Sequence, residues 1–188
     1  MAQATTDLIN SQIAENGLKT GQKMPDFTLS NAVGKNITLS NLLAQGAVVI
    51  TFYRGGWCPY CNLELRALQE ILPAIEAKGA TLVAISPEIP DKSLSTKEKN
   101  ELAYEVLSDR HNQLAKQLNL VFTLPESLRP IYANFGIDIP AHNGDSNFEL
   151  PLPATYVVNT DGTVVYSFVN ADYTQRANPQ EIIDVLKF

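Results

Sequence analysis

The sequence predicts an α/β fold with a mixed central sheet flanked by helices. Three observations carry that prediction. Residues 47–54 form an apolar run of β-branched and aromatic side chains with no charge before Arg54, the pattern of a buried strand. After Pro59, Leu65, Leu68, Leu72 and Ile75 recur at spacings of three and four, the apolar face of a helix. Residues 80–86 form a second apolar run, and a strand–helix–strand order makes the two strands parallel.

The other elements follow in order. Residues 5–16 suit an amphipathic helix, with Leu8, Ile9 and Ile13 on one face and Gly17 as its stop. Such a short helix needs a surface to pack on. That surface is its own domain or a partner subunit, so a homodimer is one expected assembly. Residues 24–29 and 36–39 read as strands around a turn at Gly34, and Ser40 caps a brief helix through Ala44. The helix from Pro59 is expected to reach Lys78, with a kink at Pro73 and an end at Gly79. A surface helix over 92–100, a strand over 104–109 and a helix over 112–120 come next, with His111 a surface or capping residue. Residues 121–150 are the least regular stretch, with one candidate helix over 128–135 and a loop at Gly144. Leu152 to Val158 is a strand led by Pro153, Asp161-Gly162 turns the chain into a strand over 163–169, and Pro179 starts a terminal helix.

The chain has 188 residues, 45% of them apolar, enough for one core. The expected organisation is a helical extension over 1–20 and one domain over 21–188, with no internal repeat. A net charge of −6 argues against nucleic acid or an anionic membrane as partner. Residues 1–22 hold no apolar run of the signal-peptide kind, and no later stretch is long enough to span a bilayer. A cytoplasmic protein is expected, and there a cysteine pair is catalytic or redox-sensing more often than a structural staple.

That pair is the chemical centre of the sequence. Gly55 and Gly56 end the first strand, and Trp57-Cys58-Pro59-Tyr60-Cys61 opens the long helix. Pro59 suits the first helical position. A helix N-terminus favours an anion, and a thiolate there can have a pKa of roughly 3.5–7.5, against about 8.5 for a free cysteine. Cys58 is expected to be the exposed thiolate, and Cys61 the thiol that attacks a sulfur bonded to it, so that the site cycles between dithiol and disulfide. A zinc site is disfavoured: Cys58 and Cys61 are the only cysteines, and His111 and His142 are the only histidines, without ligand-like spacing. Residues 121–150 are expected to form a wall or lid over the dithiol, or to be passive.

The motif from Trp57 to Cys61 resembles the active site of the thioredoxin superfamily, and its Pro-Tyr pair is typical of glutaredoxins. The wider chain resembles the peroxiredoxin-like alkyl hydroperoxide reductase/thiol-specific antioxidant family. The opening hairpin, Ile85-Ser86-Pro87-Glu88, the 104–109 strand and Leu152-Pro153-Ala154-Thr155-Tyr156 carry the likeness. The resemblance implies a thioredoxin-like fold with an N-terminal β-hairpin, and a cis Pro153 lying against the dithiol. It implies hydroperoxide reduction, recycling by thioredoxin, glutaredoxin or glutathione, and no metal or organic cofactor. Placed on Phe52-Tyr53, the peroxiredoxin pattern puts Arg54 at its proline, Cys58 at its threonine and Cys61 at its peroxide-attacking cysteine. Glu64 then matches its acidic residue, and Pro153 stands where its arginine would be. That pattern names Cys61 as nucleophile, while helix geometry and the thioredoxin pattern name Cys58. Arg54 is expected either to hold a thiolate or to be a surface residue. Trp57 and Tyr60 are expected to shape the rim. The strand over 47–54 lacks the buried acid that assists proton transfer in thioredoxins. Two rival functions remain: a reductase of protein or glutathione disulfides, and a non-enzymatic redox sensor.

Overall fold

A computed structural model describes residues 2–186. Met1, Lys187 and Phe188, the outer ends of the two expected units, lie outside it. The chain opens with helix α1 (Ala2–Asn10) and a 3-10 turn (Ile13–Asn16), followed by the hairpin β1 (Thr28–Asn31) and β2 (Asn36–Thr38) and by α2 (Leu39–Leu43). Next come β3 (Val48–Phe52), α3 (Pro59–Ala77), β4 (Thr81–Ser86), α4 (Pro90–Lys99), β5 (Glu105–Ser108) and α5 (Gln113–Gln117). An irregular excursion holds β6 (Val121–Thr123), α6 (Arg129–Asn134), α7 (Ile139–Asn143) and β7 (Glu149–Pro151), and β8 (Ala154–Val158), β9 (Val164–Val169) and α8 (Pro179–Val185) complete the chain.

Seven strands form one sheet in the order β2-β1-β5-β4-β3-β8-β9. β3 pairs parallel with β4, through Val48 to Phe52 opposite Thr81 to Ile85, and antiparallel with β8. The sheet is therefore mixed, as the order of elements predicts. β3 is buried along its length, and its side chains alternate between two layers. Val48, Ile50 and Phe52 join Met24, Leu107 and Leu114 on one face. Val49 and Tyr53 join Leu65, Leu68, Ile75 and Ile182, from α3 and α8, on the other. Each such buried side chain contributes about 1.5–3 kcal/mol, so β3 and the start of α3 are held from both sides. Among the described residues no helix is long and apolar enough to cross a membrane.

Several local expectations are corrected. The first helix ends at Asn10, because Gln12 takes a left-handed conformation (φ 56°) and the chain restarts as a 3-10 turn. α1 packs through Ala4 on a cluster of its own chain that includes Leu124, Leu128 and Tyr132. α2 starts one residue before Ser40; the Ser40 N–H is met at 2.9 Å by the Asp26 carboxylate, so no serine cap is needed. α5 starts later than expected and is capped from Asp109, whose carboxylate accepts the N–H groups of Leu114 and Ala115. His111 is a surface residue, one of the two roles expected for it, and pairs with Asp145 at 3.0 Å. α3 continues through Pro73, which lies on its solvent face, where a carbonyl left without its N–H partner can be hydrated. The excursion carries a two-stranded sheet, β6 with β7, that no periodicity in so short a segment announces.

Candidate active site

The site lies where β3 hands over to α3. Tyr53 N–H bonds to the Ile85 carbonyl at 2.9 Å, which carries the sheet pairing one residue beyond β3. The chain then turns through Gly55 and Gly56, and neither position has room for a side chain. A Cβ at Gly55 would lie 2.3 Å from Trp57 Nε1, and one at Gly56 would lie 2.1 Å from Thr96 Oγ1. The turn is pinned from three directions. Glu88, fully buried, accepts the Gly56 N–H at 3.0 Å. Asn62 Nδ2 donates to the Gly56 carbonyl at 2.9 Å, and Cys58 N–H closes on the Gly55 carbonyl at 3.0 Å. Glu88 is itself held by His142 Nδ1 at 2.7 Å, and Thr96 Oγ1 and the Tyr53 hydroxyl donate to it. Among the described residues no group of three or more His, Cys, Asp or Glu is arranged to hold a metal ion.

Cys58 is the N-cap residue of α3, Pro59 is at its first position, and Cys61 lies in its first turn. Both are reduced thiols. Cys58 is not exposed, contrary to expectation: it is 0% accessible and Cys61 1%. The cover is Arg54, which is no surface residue either, being 4% exposed. Its Nη2 donates to Cys58 Sγ at 3.1 Å and its Nη1 to the Tyr132 hydroxyl at 3.4 Å. Its guanidinium stacks over Tyr173 at 4.5 Å and Trp57 at 5.2 Å from the ring centroids. Tyr132 meets Trp57 edge to face at 5.6 Å, so the excursion does wall the site. Tyr60, exposed at 42%, meets Tyr173 in the same way at 5.7 Å.

These neighbours separate the two sulfurs electrically. A hydrogen bond from the Cys61 thiol, together with the charge and hydrogen bond of Arg54, outweighs burial and draws Cys58 down to about 5. Burial, and the proton that Cys61 shares with Cys58, push Cys61 well up. Arg54 stays cationic, because the sulfurs beside it offset the burial that opposes its charge. At neutral pH the site is one thiolate, Cys58, and one thiol, Cys61.

Glu64, from the next turn of α3, is the buried acid that the strand itself lacks. Its Oε2 lies 2.7 Å from Arg176 Nε, a contact of charges whose angle makes no hydrogen bond, and Thr51 and Thr155 hydroxyls approach its Oε1. Arg176 Nη2 also reaches Cys61 Sγ at 3.4 Å. Burial pushes Glu64 up to about 7 against the pull of Arg176. Between about pH 4.5 and 7 the folded chain therefore binds this proton more tightly than the unfolded chain. That contribution to stability, about 3 kcal/mol, is full below pH 4.5 and lost as pH rises through 7. Cys58, drawn down to about 5, acts in the opposite sense over the same range, so the test is a difference. Glu64→Gln is expected to shift the stability at pH 8 relative to pH 5 by about 3 kcal/mol in favour of pH 8, measured against the wild type by denaturant titrations at both pH values. An unchanged pH 5-to-8 difference would overturn the assignment.

Pro153 is trans, since no cis peptide bond occurs among the described residues. It precedes the first residue of β8, a position that needs no N–H and admits the trans form. It is buried and shares a cavity wall with Arg54. Sequence reasoning missed Arg176, which reaches Cys61 from the loop before α8, and Tyr132 of α6 and Tyr173, which pack on the Arg54 guanidinium that covers Cys58. It also missed Glu88 and His142 as supports. Glu88 left a trace only in the family likeness of its segment.

The AhpC/TSA family profile matches residues 20–167. The chain belongs to the AhpC/TSA family. It is 32% identical over 105 residues to a putative peroxiredoxin bcp of Haemophilus influenzae, an alignment covering 56% of this chain and 67% of the relative. It is 22% identical over 152 residues to the thiol-disulfide oxidoreductase ResA of Bacillus thuringiensis, covering 80% of this chain and 70% of that one. Among solved structures, peroxidoxin BcpB of Mycobacterium tuberculosis shares the fold with a TM-score of 0.71 at 23% identity, over 90% of this chain and 97% of that one. The peroxiredoxin-like family and the thioredoxin-like fold expected from the motif both hold. Within the AhpC/TSA frame, an arginine from the strand end covers the dithiol of this chain.

Proposed function

We propose that this AhpC/TSA protein is a thiol peroxidase whose nucleophile is Cys58. The observation that carries the reading is Arg54 Nη2 at 3.1 Å from Cys58 Sγ, with the Cys58 thiolate favoured and the Cys61 thiol retained. The thiolate attacks the O–O bond of a hydroperoxide, the sulfur becomes a sulfenic acid, and the alkoxide or hydroxide leaves and takes a proton. The guanidinium stabilises the charge that passes from sulfur to oxygen. Cys61 then condenses with the sulfenic acid, forming the disulfide and releasing water. Glu64, poised near neutral pH beside Arg176, is suited to take up the Cys61 proton in that step. Two equivalents of an external thiol restore the dithiol, with thioredoxin, glutaredoxin or glutathione as the reductant class. The reaction so written needs no metal or organic cofactor, and a cytoplasmic setting supplies such thiols.

Cys61→Ser is the direct test. The variant is expected to consume one equivalent of peroxide and accumulate sulfenic acid at Cys58, detected by dimedone adduct mass. An unmodified Cys58 after peroxide would overturn the reading.

Disulfide exchange is the second reading, favoured by the Pro-Tyr pair and by the likeness to ResA. Burial weighs against it: a protein disulfide must reach a sulfur with no accessible surface behind Arg54, whereas a small peroxide needs far less room. The redox-sensor reading has no feature of the site in its favour over the other two.

A further inference from the structure

Each sulfur of the dithiol faces an arginine. Arg54 Nη2 donates to Cys58 Sγ at 3.1 Å, and Arg176 Nη2 donates to Cys61 Sγ at 3.4 Å. Attack on a peroxide by Cys58 draws on the first of these cations only. The second lies beyond the family match, which ends at residue 167.

Arg176 is held in place independently of Cys61. Its loop, between β9 and α8, is anchored by the buried Ala171 and Ala177, and the Asp172 carboxylate accepts the Thr174 N–H at 2.9 Å. Nη1 donates to the Tyr173 and Gln175 carbonyls, and Nε faces the Glu64 carboxylate at 2.7 Å. Nη2 is thereby aimed at the sulfur, in a side chain only 13% exposed. In the reduced protein this contact is weak, because Cys61 keeps its proton and a thiol is a poor acceptor. A thiolate accepts from a guanidinium far better. The fixed cation therefore favours a state in which Cys61 is charged. Such a charge develops when Cys61 is the sulfur expelled from the Cys58–Cys61 disulfide.

We propose that Arg176 is a catalytic residue of disulfide reduction: it receives Cys61 as the leaving thiolate and so directs an external thiol to Cys58. The inference rests on the dithiol–disulfide cycle of the proposed function, and not on which oxidant closes the disulfide. An external thiolate attacks Cys58 Sγ, the S–S bond breaks, and its electron pair passes to Cys61 Sγ beside Arg176. Glu64, protonated when the disulfide formed, returns that proton to Cys61. A second external thiolate attacks the sulfur of the first. Cys58 is released as a thiolate beside Arg54, and the two external thiols leave as their disulfide. Without Arg176 the order of leaving groups reverses. Cys58, the sulfur with the lower pKa, then leaves more readily, and the attack turns to the more deeply buried Cys61.

The test starts from the disulfide made with diamide, so that no peroxide chemistry enters. The oxidised full chain is mixed with 2-mercaptoethanol, and reduction is followed through Trp57 fluorescence. The mixed disulfide is trapped in acid and located by mass spectrometry. The wild type is expected to carry the adduct on Cys58. Arg176→Met is expected to slow reduction on the order of tenfold or more and to move the adduct to Cys61. Arg176→Lys keeps a cation there, and is expected to recover part of the rate and return the adduct to Cys58. Arg176→Met also strands the Glu64 carboxylate in the core, so Glu64→Gln with Arg176→Met is compared with Glu64→Gln alone, a pair free of that burden. The same loss of rate and the same move of the adduct are expected there. An adduct on Cys61 in the wild type, or one that stays on Cys58 in both Arg176→Met variants, would overturn the proposal. If hydrogen peroxide oxidises the wild type no faster than a free thiol while the adduct moves as expected, the peroxidase reading fails and the role of Arg176 in disulfide reduction stands.

Discussion

Cys58→Ser is expected to abolish peroxide-driven oxidation, leaving no rate above that of a free thiol. The nearest alternative attacker, Cys61, is fully buried and holds its proton far above neutral pH, so it offers almost no thiolate. The measurement is stopped-flow fluorescence, with Trp57 as reporter. Trp57 is the only tryptophan, packs against Tyr132, and lies under the guanidinium that faces Cys58. The converse result, oxidation retained in Cys58→Ser and lost in Cys61→Ser, would restore the peroxiredoxin alignment in which Cys61 attacks.

Arg54→Met is expected to slow that oxidation on the order of 100-fold while leaving the dithiol able to form its disulfide. Two losses combine. The Cys61 hydrogen bond is the largest influence holding Cys58 down to about 5, and it survives the substitution. The charge and hydrogen bond of Arg54 do not survive, so the Cys58 pKa rises and the thiolate fraction at neutral pH falls. The departing oxygen also loses its cationic partner, an effect worth about 10²–10³ in rate where a single donor of this kind is removed. The sign in pH follows directly. The wild-type rate should be flat through neutrality and fall as pH drops through about 5, and in Arg54→Met the fall should begin at higher pH. Alkylation of Cys58 by iodoacetamide across pH gives the pKa independently. Arg54→Lys, which keeps a charge but loses the fork that also meets Tyr132, should recover part of the rate. An Arg54→Met variant with the wild-type pH profile would show that the guanidinium only covers the site.

Much of this architecture is legible in the sequence. The apolar run of β3 and the spacing of Leu65, Leu68, Leu72 and Ile75 describe residues that one sheet and one helix bury, and both elements appear nearly where the pattern puts them. The cysteines are legible because their chemistry depends on a local feature, a strand turned by two glycines into a helix led by proline. In residues 121–150 the helix α6 is legible but the strands are not, because β6 and β7 are three residues each and pair across the whole excursion.

The sequence by itself determined the mixed α/β sheet, the position of the dithiol at the head of α3, and the membership of a peroxiredoxin-like family, since all three follow from local pattern and motif. Only the tertiary structure decided what surrounds the sulfurs. Arg54 proved to be their cover, Tyr132 and Tyr173 its cage, and Glu64 with Arg176 the charged pair behind Cys61. Arg176 stands 115 residues beyond Cys61 in the chain, and no periodicity connects them. Their meeting depends on how β8, β9 and the loop before α8 fold back over α3, and the burial and hydrogen bonding that set the two thiols apart are likewise made only by the folded chain.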